Sequence, residues 1–158
     1  MNLRLQFCLA LAGAVLLVPA LRADDAFYLG AWKITSATIA PWADRERRPD
    51  TAEIKSLVGK TVTFEKHRIL GPRQVACPDP KYALKDYPAD MLFEGAFGEM
   101  HERDKSIDPA HVAATLGFKC SSWKTLETGC GNEINWYFID ATTAAIGLND
   151  TVYILKKQ

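Results

Sequence analysis

The chain has 158 residues, and its 19 Lys and Arg balance 19 Asp and Glu, so it is formally neutral. Neutrality without a basic block argues against nucleic acid as a partner. A hydrophobic share of 48% supplies enough apolar chain to bury a core.

Residues 1–23 read as a signal peptide. Arg4 gives a positive start, and Phe7 to Val18 is an almost unbroken apolar run, too short to span a bilayer. Small residues follow as far as Ala23, and cleavage there leaves Asp24-Asp25 as a polar start. Cys8 leaves with the peptide, and no transmembrane segment is expected after cleavage. Residues 24–158 contain no repeat or linker and are expected to form one exported domain, periplasmic or secreted.

Leu29 to Ile39 reads as the first strand, ended by Pro41, which cannot donate to a ladder. Arg45, Arg47 and Arg48 alternate with acids and read as a solvated loop. A short helix follows in "DTAEIKSLVG", with Asp50 as cap, Glu53 in capping-box position and Gly59 at its end. In "KTVTFEKHRIL", Val62 and Phe64 alternate with polar residues, the period of a half-buried strand. Gly71-Pro72 breaks the chain, and Gln74–Ala76 and Lys81–Asp86 read as short strands around Pro78-Asp79-Pro80. Residues 88–105 fit either a segment over the mouth of a barrel or an irregular strand. Asp108, Pro109 and three alanines predict a second helix, closed by Gly117. Strands are then expected at Ser122–Glu127, Ile134–Asp140 and Ala144–Leu148, with Asn149-Asp150 turning into Thr151–Lys156.

Three cysteines remain after the leader, so an oxidising compartment predicts one disulfide and one thiol left over. Cys130 lies between glycines and Cys77 is pinned by prolines, which favours Cys77–Cys130 over the two pairings through Cys120 and leaves Cys120 as an expected small buried hydrophobe. About eight strands and two short helices fit a mainly β fold, an antiparallel up-and-down barrel, with a sandwich as the alternative.

Gly30-Ala31-Trp32, preceded by aromatics and followed by an up-and-down strand series, resembles the lipocalin and calycin pattern. The resemblance implies an eight-stranded barrel whose first-strand Trp32 plugs the closed end beneath a last-strand cation, Lys156 or Lys157, of which Lys156 is the first choice. An uncharacterised lipocalin-like exported family is the nearest description.

No nucleophile elbow or His-Glu-x-x-His motif occurs, and no Cys-x-x-Cys spacing offers a metal site. Neither a cofactor nor a metal is therefore expected. Glu99, His101 and Asp104 read as a charged, solvated loop. The rings exceed what a small core needs. Trp136 and Phe138 fall on one face of "NEINWYFID"; with Trp42, Phe93 and Phe97 at the mouth they would line a pocket for a small apolar or aromatic molecule. The leading expectation is thus an exported, non-enzymatic binding protein. A protein partner is the alternative: an inhibitor of a hydrolase such as lysozyme, with Asp90 to Ser106 as the inhibitory loop. A third reading places a small hydrolase or isomerase on the barrel, with His67 or His101 as base.

Overall fold

The computed structural model describes residues 26–44, 46 and 48–158. The signal peptide expected over residues 1–23, and Arg45 and Arg47 of the basic cluster, lie outside the described residues. Eight strands form β1 (Gly30–Ile39), β2 (Thr61–Glu65), β3 (Arg68–Leu70), β4 (Ala83–Tyr87), β5 (Trp123–Glu127), β6 (Trp136–Asp140), β7 (Thr143–Leu148) and β8 (Thr151–Lys157). Three α-helices accompany them among the described residues: α1 (Thr51–Leu57), α2 (Ala96–Arg103) and α3 (Pro109–Thr115). A 3-10 turn spans Ala89–Met91.

All eight strands lie in one antiparallel sheet, in the order β3-β2-β1-β8-β7-β6-β5-β4. The last strand returns to pair with the first, Trp32 opposite Lys157 and Ile39 opposite Thr151. The sheet curls strongly. Phe64 of β2 meets Trp136 of β6 with ring centroids 4.7 Å apart, although three strands separate β2 from β6 in the ladder.

The ladder does not close, which corrects the expected barrel to a half-barrel whose ends are β3 and β4. The proline-rich segment between them explains the gap, because prolines supply no backbone donor to a ladder. The strand expected at Gln74–Ala76 is instead a turn, with the Val75 and Ala76 amides both donating to the Pro72 carbonyl at 3.0 Å. Cys77 alone pairs with β3, exchanging bonds with Ile69 at 2.7 and 2.9 Å. Residues 71–82 thus form a strap across the gap. Its ties are the Cys77–Cys130 disulfide (Cα–Cα 6.0 Å), Asn132 Nδ2 donating to the Gln74 carbonyl at 3.1 Å, and the Tyr82 hydroxyl donating to the Glu65 carbonyl at 2.8 Å. The strand expected over Lys60–Leu70 also folds back on itself as the β2–β3 hairpin.

The concave face holds one core: Trp32, Ile34, Val62, Phe64, Leu126, Trp136, Phe138, Ile146, Tyr153 and Leu155 are all at most 3% exposed. Alternation places Trp136 and Phe138 inward and Tyr137 outward, as a pleated strand requires. Trp32 is fully buried, donates its indole N–H to the Tyr28 carbonyl at 2.7 Å and packs on Phe138. The cation over it is Lys157, 5.6 Å from the ring centroid, and not Lys156. One step along the strand reverses the side chain, so Lys156 points to the other face, where it donates to Thr143 Oγ1 at 2.6 Å.

Helix α1 lies against this core through Leu57. Asp50 caps it by accepting from the Ala52 and Glu53 amides at 2.9 and 3.0 Å. Glu53 leaves the expected capping box and reaches β8 instead, accepting from the Tyr153 hydroxyl at 2.6 Å and from Asn149 Nδ2 at 2.6 Å. Asp108 caps α3 in the same way, accepting from the Ala110 amide at 2.9 Å.

Candidate functional site

The five residues expected to line one pocket are split between the two faces of the sheet. Trp136 and Phe138 belong to the concave core. Trp42, Phe93 and Phe97 pack on the convex face, within a second cluster that includes Trp123, Tyr137, Ala145 and Val152. The sheet separates them, and they cannot line a common cavity. Gly147 explains where the outer rings go. A Cβ there would stand 3.1 Å from Phe93 and 3.2 Å from Trp42, so the missing side chain lets both rings approach β7 closely.

The segment that the sequence left undecided, residues 88–105, is the cover of this convex face. Its 3-10 turn and α2 bring down Leu92, Phe93 and Phe97, all at most 2% exposed. Burial of each such side chain contributes about 2 kcal/mol. The inhibitory loop expected at Asp90–Ser106 is therefore a folded layer held by its own core. Gly98 sets the close approach of α2 to the turn: a Cβ on it would lie 2.9 Å from the Asp90 carbonyl oxygen.

Between the cover and the sheet opens a cleft of about 310 Å³, lined by Tyr87, Asp90, Met91, Glu94, Gly95 and Asn135. Glu94 of its wall and the preceding Phe93, both non-glycine, adopt left-handed backbone with φ of 55° and 53°. Such a conformation costs roughly 1 kcal/mol or more per residue and persists only where surrounding packing imposes it. Here the imposing contact is visible. The inward anchor is Phe93, its ring tilted against Tyr137 with centroids 4.7 Å apart, and the outward residue is Glu94.

Glu94 and Tyr137 form a reciprocal pair. The Glu94 amide donates to the Tyr137 hydroxyl oxygen at 2.9 Å, and that hydroxyl donates to Glu94 Oε1 at 3.1 Å. Glu94 is exposed as a residue, but its carboxyl end is drawn down onto the fully buried Tyr137. Partial desolvation pushes the carboxyl above the ordinary glutamate range, against hydrogen bonds from Tyr137 and Asn135 that act in the other direction. Burial, reinforced by the Glu94 charge, pushes the Tyr137 phenol up. Tyr87 donates its hydroxyl to Glu127, which raises its pKa to about 12. Lys85 pairs with the same carboxylate at 2.7 Å, and these partners hold Glu127 below the usual range. Beside Tyr137, Thr125 Oγ1 is buried without a hydrogen-bond partner, as is Trp123 Nε1.

Asp90, Met91, Glu94 and Gly95 fall in the segment expected as an inhibitory loop, but none of the six cleft residues was expected to line a small-molecule site. Strand alternation puts Asn135 and Tyr137 on the face opposite Trp136, but nothing in it shows that this face too is covered. His67 is exposed in the β2–β3 turn, and His101 on α2 places Nδ1 2.7 Å from the Ile107 carbonyl. Neither lines the cleft, so the base proposed for a hydrolase is not placed at it. Among the described residues, no three or more His, Cys, Asp or Glu converge as metal ligands. Cys120 lies outside the disulfide and is exposed, which corrects the burial expected for it: it follows α3 in a surface bend before β5. No described helix is long and apolar enough to cross a membrane. No protein-family model, curated protein or solved structure matches the chain.

Proposed function

We propose that this protein is an exported binding protein of lipocalin-like build whose small ligand sits in the convex-face cleft, not inside the curled sheet. The observation that carries this reading is the cleft itself: about 310 Å³, at the lower end of the range of small-ligand sites, with the Glu94 carboxylate fixed in its wall by Tyr137. A polar group held in place before the ligand arrives loses little freedom on binding. The concave face, by contrast, is occupied by its own rings, which weighs against the apolar interior ligand.

The lipocalin-like reading is supported by the buried Trp32 under Lys157 and by the pairing of β8 back onto β1. Export is supported by the Cys77–Cys130 bridge, because disulfides persist in oxidising compartments. Amide chemical-shift mapping with a library of small polar and apolar compounds tests the site. Ligands should move Gly95 and Asn135. Binding of fatty acids or haem with shifts confined to Trp136 and Phe138 would return the site to the interior and overturn the reading.

A further inference from the structure

We infer that the ligand class of this cleft is a small organic cation, an ammonium group carrying a short apolar body. The inference rests on the cleft reading above and adds the chemistry that selects the ligand.

The charge of the walls points one way. Of the six lining residues, Asp90 and Glu94 are acids, and none is Lys, Arg or His. The cations nearby on the sheet have partners of their own: Lys85 pairs with Glu127 at 2.7 Å and Lys124 with Asp86 at 2.9 Å. The cleft therefore presents uncompensated negative charge, which repels carboxylate and phosphate ligands and attracts a cation. The Tyr137 hydroxyl donates to Oε1 of Glu94 and Asn135 also donates to the carboxylate, which fixes it while its four lone-pair sites leave room for a further N–H.

The remaining walls select an organic cation over a metal ion. Tyr87 directs its hydroxyl to Glu127, so its contribution to the wall is its ring, a surface that attracts ammonium groups. Met91, 44% exposed at the lip, offers a flexible thioether to an apolar substituent. A hard divalent cation is selected by oxygen ligands, and a thioether and an aromatic ring in the wall offer it none.

Isothermal titration of the purified protein with n-butylammonium and a trimethylammonium alcohol tests this against n-butanol, butyrate and calcium chloride. Amide shifts of Gly95 and Asn135 report the location. The ammonium probes should bind at the cleft, with n-butanol at least about tenfold weaker and butyrate inert. Glu94→Gln should weaken the cations about tenfold and leave n-butanol unchanged. Asp90→Asn, at an exposed position, should weaken the cations in the same direction, whatever Glu94→Gln does to folding. If n-butanol binds at Gly95 and Asn135 as well as the ammonium does, the ligand class is wrong and the cleft reading stands. Calcium binding there in preference to the ammonium also overturns the class. If no probe moves Gly95 or Asn135, the class and the cleft reading fail together.

Discussion

Glu94 carries the pH dependence of the site. Partial desolvation raises its native pKa above its unfolded value, so the folded chain holds this proton more tightly than the unfolded chain. The resulting stability is fully present below the ordinary glutamate pKa of about 4.3 and is lost as pH rises through the native value. Tyr87 from β4 and Tyr137 from β6 feel this carboxyl's charge, Asp90 lines the same cleft, and the two phenols stay neutral throughout that range. Glu94→Gln should flatten the loss, so urea midpoints of variant and parent should diverge as pH rises from about 4 to 7, the variant being the more stable. Solvent at this exposed residue keeps the difference small. Thr125 gives a test independent of charge. Its buried hydroxyl has no partner, so Thr125→Val exchanges an unpaired polar atom for a methyl of similar shape. Stability should rise by about 1 kcal/mol, measured by urea denaturation. A fall would mean that the hydroxyl is satisfied in solution.

Among the elements, α2 packs directly on Asp90 of the cleft wall, and that approach depends on the absence of a side chain. Gly→Ala in a helix ordinarily stabilises by about 0.5–1 kcal/mol, but at Gly98 the new Cβ meets the Asp90 carbonyl at 2.9 Å. Gly98→Ala should therefore destabilise by about 1–3 kcal/mol and displace the cover, with loss of any cleft ligand as the second readout. This layer was hidden from the sequence for a physical reason. Residues 93–95 run through left-handed backbone before α2 begins, so no capping side chain announces it. The helices that carry side-chain caps, at Asp50 and Asp108, were legible. The strand "NEINWYFID" was legible as alternation, with Trp136 and Phe138 sharing a face. The alternation could not reveal that helices cover the opposite face, so the surplus rings were assigned to one pocket instead of two cores. Glycine's role at position 147 shows only once Trp42 and Phe93 are seen lying over it.

At the scale of the whole molecule, a sheet with two unpaired ends is held curled by its strap. Cys77–Cys130 joins the strap to the β5–β6 loop across a separation of 53 residues, a closure that contributes about 4 kcal/mol in the chain-entropy account. Replacing both cysteines by serine should lower unfolding stability by an amount of that order. A change below about 1 kcal/mol would mean that the backbone and Tyr82 ties suffice by themselves. The account as a whole depends on the sheet having two covered faces, with Trp136 turned to one and Phe93 to the other. Ring-to-ring nuclear Overhauser contacts in the purified protein test that most directly. Contacts should join Phe64 to Trp136 and Phe93 to Tyr137, the two pairs whose centroids lie 4.7 Å apart. Contacts from Phe93 or Phe97 to Trp136 or Phe138 would put all the rings in one interior pocket and contradict it.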